Sequence, residues 1–247
     1  MYKMRVSKTQ QANNQRAIIA AAVELMTQHG FEATTMKQIA RAANLGDATI
    51  YKYFPSKEKL VVGYFEQAVS DALALSQQAN GWDDFTLQEH AQLLIDSFLE
   101  VLLADREFVA MARQLVERAP LLMLAHDMPG KPALQQAFLQ MLDQAQASGE
   151  IPPCGFKSSL SALLADYVYG VVAYWLRDES DGFNDTTQMV DLSVGVLVLS
   201  LRSGLIDKLL ELGGFVLRSQ LARLMHNGTA LTDLLQLARR GLKAAQR

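Results

Sequence analysis

The chain has 247 residues, half of them hydrophobic, and a formal net charge of −3. That apolar content supplies a sizeable core and excludes wholesale disorder. The single cysteine, Cys154, excludes an internal disulfide and gives no sign of an oxidising compartment. Only 6 prolines and 15 glycines interrupt a sequence rich in Ala, Leu and Gln. These residues lose little rotamer freedom in a helix, and long β-branched runs are missing, so an all-α protein is expected. The polar opening "MYKMRVSKTQQANNQ" lacks the apolar stretch of a secretion signal. Val194 to Leu201, the greasiest run, is far short of the ~20 residues of a membrane span. The expectation is a cytoplasmic protein without a membrane partner.

Charge divides the chain. Residues 1–65 carry nine Lys/Arg against four Asp/Glu, whereas the remainder is acidic overall. A basic head on an acidic body suggests that only the head meets a polyanion.

In chain order, Ala12 to His29 places Ile18, Ile19, Ala22, Val23 and Met26 on one side of a predicted helix. Gly30 is its natural stop, because glycine enters the left-handed region without a Cβ clash. Thr35 to Gln38 has the form of a capping box and starts a second helix with Met36, Ile39, Ala40 and Ala43 inward. That helix ends near Asn44, and a third begins two or three residues later. Two short helices about a tight turn frame a helix-turn-helix.

In such a unit the second helix enters the major groove of DNA. Ile50 and Phe54 are four residues apart and pack inward. Asp47, Ala48, Thr49 and Lys52 fall on other faces and are available to the groove. Tyr51 and Tyr53 offer a ring for packing and a hydroxyl for phosphate. Pro55-Ser56 ends the third helix, and Ser56 caps a long helix starting at Lys57. Lys57 and that helix's free N–H groups would clamp a phosphate.

The run "GFEATTMKQIARAANLGDATIYKYFPSKEKL" resembles the DNA-binding domain of TetR-family transcriptional regulators. Gly30-Phe31, Thr34-Thr35, Ile39-Ala40, Ala43, Thr49-Ile50-Tyr51, Tyr53-Phe54 and Ser56-Lys57-Glu58 fall at the family spacing, over roughly residues 12–62. The family pattern adds Thr34, Thr35 and Lys37 to the expected DNA contacts. The resemblance implies a dimeric repressor or activator whose larger C-terminal domain binds a small ligand. It therefore implies a helix-turn-helix domain over 1–62 and a helical ligand-binding and dimerisation domain over 63–247. Three departures stand out: Asn44 for glycine, Gly46 for serine, and Ala48 for glycine. Gly46 removes a hydroxyl cap, and Asp47 is expected to replace it in part, or to accept from a cytosine amino group.

Leu60 to Ala79, Phe85 to Ala104, Arg106 to Arg118, Pro132 to Ala147 and Phe156 to Arg177 each show helical periodicity. Met189 to Leu201 is apolar on nearly every side, so it must be covered all round, either as the centre of the core or by a second subunit. The resemblance implies that the last two main helices form a four-helix dimer interface, here through Leu164, Val168, Val171, Val172, Trp175, Leu192, Val196 and Leu199. Gly170 and Gly195 would permit close helix approach. Residues 213–247 add about two amphipathic helices beyond the family's usual end, expected to pack on the body or across the dimer.

Pocket candidates are the aromatic and Met residues Phe98, Phe108, Met111, Met123, Phe138, Met141, Tyr167, Tyr174 and Trp175, with His126 as a polar anchor. Their walls suggest a largely apolar effector. No enzyme, cofactor or metal is expected: the four histidines lie far apart in sequence, and Cys154 has no local partner. Expected partners are a double-stranded palindromic operator, a small-molecule effector and a second copy of the chain. The rival is a helical adaptor or small-molecule sensor that keeps the fold without binding DNA.

Overall fold

Ile18, Ile19, Ala22, Val23 and Met26 lie on one side of a helix spanning Lys8–His29 (α1), and all are buried. The computed structural model of the chain describes residues 8–118 and 128–226. Gly30 closes α1 with φ +83°, its N–H donating to the Met26 carbonyl at 2.9 Å. This left-handed turn drops Phe31 onto the head's core, where it is buried. Helix α2 spans Met36–Ala42 and opens with the reciprocal box expected at Thr35 and Gln38. Asn44 takes a positive φ of 55°, and α3 follows over Asp47–Tyr53. Ile39 and Ile50 are fully buried between the three helices.

Helix α4 spans Lys57–Ser76, capped by Ser56, whose hydroxyl accepts from the Lys59 N–H. It runs unbroken through the expected domain boundary at 62/63 and joins the head to the body. Gly63 on α4 is required by packing: a Cβ there would lie 2.6 Å from the Phe54 ring. The missing side chain lets α4 press directly on the residue that closes α3.

The remaining helices are α5 (Leu87–Leu103), α6 (Arg106–Arg118), α7 (Lys131–Ala147), α8 (Lys157–Trp175), α9 (Asn184–Arg202) and α10 (Leu205–His226). Helix α4 packs along α5, and α7 along α8, while α6 packs against α1. Leu94, Phe98, Phe138, Val168 and Trp175 fill the body core. The described residues contain helices and no strands. None of these helices is long and apolar enough to cross a membrane.

The chain divides into two compact units, one ending at Val196 and the other starting at Leu197. In the second, α10 carries exposed Leu205, Leu209, Leu212, Phe215 and Val216. Expectations for residues 227–247 lie outside the described residues.

The expected dimer face needs correction. Leu164, Val168, Val171, Val172 and Trp175 are buried within the protomer, because they point at the core helices rather than outward. The outward face of α8 is carried instead by Leu163, 63% exposed, and Tyr174. On α9, Leu192, Val196 and Leu199 are all exposed. Gly170 opens onto empty space and Gly195 faces the Gln88 side chain, so neither serves a close helix crossing within the protomer.

Candidate nucleic-acid interface

Helix α3 divides its side chains sharply. Ile50 is buried, whereas Ala48, Tyr51 and Lys52 are exposed and Thr49 is half-buried. Together with exposed Thr35 and Lys37 at the start of α2, they form one solvent-facing polar surface. Its N-terminal end is simpler than expected. Gly46 is the N-cap residue of α3, and no side chain caps that end. Asp47 sits one residue inside the helix and faces Lys37 at 3.7 Å, so it is an acidic first-turn residue rather than a cap. An exposed pair at that distance contributes little to stability.

Three further expected contacts are committed inside the head. Thr34 is 1% exposed, and its hydroxyl donates to the Gly30 carbonyl at 2.8 Å and the Leu25 carbonyl at 3.1 Å. It therefore locks the α1–α2 turn and cannot touch DNA in this conformation. The Tyr53 hydroxyl accepts from Asn14 Nδ2 at 2.8 Å, tying α3 to α1. Lys57 Nζ donates to the Phe31 carbonyl at 2.5 Å and lies 4.4 Å from the centre of the Phe31 ring. Its ammonium binds the preceding turn to the head of α4 instead of standing free for phosphate. Beside it, the Glu58 carboxyl is held below its ordinary range, chiefly by hydrogen bonding with Ser56.

The predicted pocket residues do not converge. Phe98, Phe138 and Trp175 are packed core, Tyr174 is exposed, and the Tyr167 hydroxyl meets Ser193 Oγ at 2.5 Å. Met111 is half-buried. Met123 and His126 lie outside the described residues. Phe108 does line a cleft of about 900 Å³, and Met141 a smaller one of about 300 Å³. The larger cleft lies between α1, α4 and the corner joining α5 to α6, a place that residue periodicity did not point to. Its walls include Arg16 and Asp71, paired at 3.1 Å, together with Tyr64, Asp105 and Arg106.

Tyr64 and Arg106 are distinctive there. Tyr64 is 6% exposed and packs edge-on against Phe108 at 4.8 Å. Burial first, then the charge of Asp105 and its hydrogen-bonding pull on the hydroxyl, push the phenol far above the ordinary range, although no close hydrogen bond forms between the two. Arg106 Nη2 donates to the carbonyls of Trp175 and Leu176 at 3.1 Å each and of Asp178 at 3.3 Å. Its guanidinium thereby caps the negative end of α8. A phenol among the inward aliphatic residues Leu60, Val61, Ala68, Val69 and Ala72 of α4 was the available sequence signal, since a buried hydroxyl needs a partner.

Comparisons with known proteins agree with this architecture. The family model described as bacterial regulatory proteins, tetR family, matches residues 18–63. A second, described as tetracyclin repressor-like, C-terminal domain, matches residues 91–216. The chain is 28% identical over 200 residues to the fatty acid metabolism regulator protein of Bacillus subtilis, covering 77% of this chain and 95% of that one. It is 28% identical over 159 residues to the HTH-type transcriptional regulator UidR of Escherichia coli, covering 63% and 78%. A match to the Bacillus subtilis regulator YvkB, 36% identical over 66 residues, spans 27% of this chain and 35% of that relative. Among solved structures, a TetR-family regulator from Rhodococcus superposes with a TM-score of 0.60 at 17% identity, covering 76% of this chain and 99% of that one. Another from Nitrosomonas europaea gives 0.56 at 22% identity, covering 74% and 96%. At those identities the superpositions speak for the fold alone.

Proposed function

This chain belongs to the TetR family of transcriptional regulators, and on that premise we propose that it is a repressor, acting in the cytoplasm, that binds a palindromic operator as a homodimer and leaves it when a small molecule binds. The observation that carries the reading is the partition of α3. Its buried Ile50 anchors the helix while Ala48, Thr49, Tyr51 and Lys52 are offered to a groove. Of these, Ala48, Thr49 and Lys52 would meet base edges, and Tyr51, Thr35 and Lys37 would meet phosphates or frame the contact.

Two heads must be held about one turn of DNA apart, ~34 Å, for both recognition helices to reach their half-sites. The outward faces of α8 and the first part of α9 are suited to hold them, because Leu163, Leu192 and Val196 are large, apolar and exposed. Exposed apolar stripes of this kind mark association surfaces. Helix α4 connects the head to the body, so any ligand that prefers one setting of α4 shifts the population that can bind DNA. It does so only by its differential affinity for the two settings. The expected apolar lining does not gather round one cavity, since Phe98, Phe138 and Trp175 are packed core while Phe108 and Met141 line separate clefts.

A gel-shift with DNA from upstream of the protein's own gene tests this reading. Sequence-selective retardation that weakens steeply with salt supports it. Retardation that is absent, or equal for unrelated DNA, would leave a helical adaptor or sensor in its place.

A further inference from the structure

Among the described residues, the buried side-chain polar atoms that find no hydrogen-bond partner are the Tyr64 hydroxyl and Arg106 Nε. Both residues line the same cleft between α1, α4 and the α5–α6 corner. Buried polar atoms are almost always paired, and exceptions call for an explanation. Here the two exceptions share one wall system, at the place where head and body helices meet.

From this juxtaposition we propose that the α1–α4–α6 cleft is the effector site, and that it takes a small organic cation carrying a hydroxyl or carbonyl oxygen. The oxygen is dictated by the two unpaired groups. Arg106 Nε can only donate, and a phenol can donate or accept, so an oxygen acceptor serves either. The cation is dictated by the walls, where four carboxylates, Glu24, Asp71, Asp105 and Glu107, face two guanidinium groups, Arg16 and Arg106. Arg16 is already paired with Asp71, and Arg106 is spent on the carbonyls ending α8. Arg106 keeps its charge among those carbonyls, but Glu24, Asp105 and Glu107 outnumber it, so the cleft is net negative and prefers a cation to an anion. A volume of about 900 Å³ is within the range of small-molecule sites.

The position explains how binding would reach DNA. Helix α6 begins at Arg106 and packs on α1, while α4 carries Tyr64 and starts in the head. A molecule held between them favours one spacing of α1 and α6, and with it one setting of the head. This regulatory consequence rests on the reading of the chain as a DNA-binding regulator, whereas occupancy of the cleft does not.

The test uses the full chain with two matched probes, tyramine as a hydroxyl-bearing ammonium and 4-hydroxyphenylacetate as its carboxylate counterpart. Thermal melting and titration calorimetry should show binding of tyramine and none of the carboxylate. Tyr64→Phe should weaken tyramine about tenfold, the loss expected for one hydrogen bond in a dry setting. Ala20→Trp, which fills the cleft from the face of α1, should abolish binding while melting as one cooperative unit. Asp143→Asn, remote from the cleft on α7, should leave binding unchanged. The proposal is overturned if tyramine and the shorter amino alcohol ethanolamine both fail to bind, if the carboxylate binds equally well, or if binding survives both cleft variants. Gel-shifts run beside these assays separate the two readings. Retarded DNA without amine binding sinks the cleft alone, and amine binding without retarded DNA sinks the regulator reading.

Discussion

The head and the body spend their side chains differently. In the head, three of the groups singled out for their chemistry are occupied by a neighbour: Thr34 by two carbonyls, Tyr53 by Asn14, Lys57 by the Phe31 carbonyl and ring. What remains for a partner is one small face of α2 and α3. In the body and at its junction with the head, Leu163 and Leu192 stand exposed, and Tyr64 and Arg106 keep a buried polar atom unpaired. A short three-helix unit has too little core to leave groups idle, so its polar side chains brace its turns. The larger body has core to spare and can hold surfaces open for a second subunit or a ligand.

The largest effect should come from closing off the body's open face. Leu163→Glu combined with Leu192→Glu places like charges on the outward sides of α8 and α9. Sedimentation should then show monomers, and affinity for a two-site operator should fall by about 100-fold or more, because each head binds without its tethered twin. A variant that stays dimeric would move the interface elsewhere and leave the body's exposed face without that role.

Next in size is Gly63→Ala, aimed at the closed region. The added Cβ meets the Phe54 ring at 2.6 Å, and overpacking of this kind costs about 1–3 kcal/mol in urea unfolding. An unchanged midpoint would show that the head is looser than its contacts indicate.

A third test uses pH. Asp178 accepts from the hydroxyls of Ser180 and Thr186 at 2.5 Å each, and from both their N–H groups, and these bonds hold its carboxyl well below its ordinary value. A depressed folded-state value means that the stabilisation is complete above the unfolded pKa of about 3.9 and is lost as pH falls below it toward the folded value. Melting temperature followed through this acid range should drop more steeply for the native chain than for Asp178→Asn. Parallel curves would remove Asp178 from the acid response.

The smallest effect is expected at Tyr64. Removing the hydroxyl in Tyr64→Phe should change stability by at most about 1 kcal/mol, because its only loss within the chain is a distant pull from Asp105 rather than a close hydrogen bond. A clear loss of stability would mean that the hydroxyl has a partner in the folded protein, and the difference between head and junction would narrow.

Much of the head was legible from residue order. The Thr35–Gln38 box, the Gly30 and Asn44 turns, the Ser56 cap and the inward Ile50 all depend on neighbours within a few positions, and each stands where the spacing put it. Helix limits in the body also follow local signals, with α7 beginning within one residue of the expected Pro132. The side of α8 that turns outward is carried by Leu163 and Tyr174 rather than by the stripe of Leu164, Val168 and Val171. Its stripe is apolar over a broad arc, and periodicity does not say which part of that arc meets the core. Thr34, Tyr53 and Lys57 have side-chain types that suit phosphate, and residue order shows no competing partner for them. Thr34 is held by Gly30 and Leu25, four and nine residues back, whereas the partners of Lys57 and Tyr53 lie 26 and 39 residues away.

By itself, the amino-acid order determined a helical chain, a basic three-helix reader with its caps and turns, and the family to which it belongs. These rest on short-range geometry and on side-chain type. Tertiary structure alone decided which greasy residues face out, which cations are already taken, and that Tyr64 and Arg106 share a cleft. Pairings across tens of residues depend on how whole helices cross, and that angle is set by the combined packing of the core.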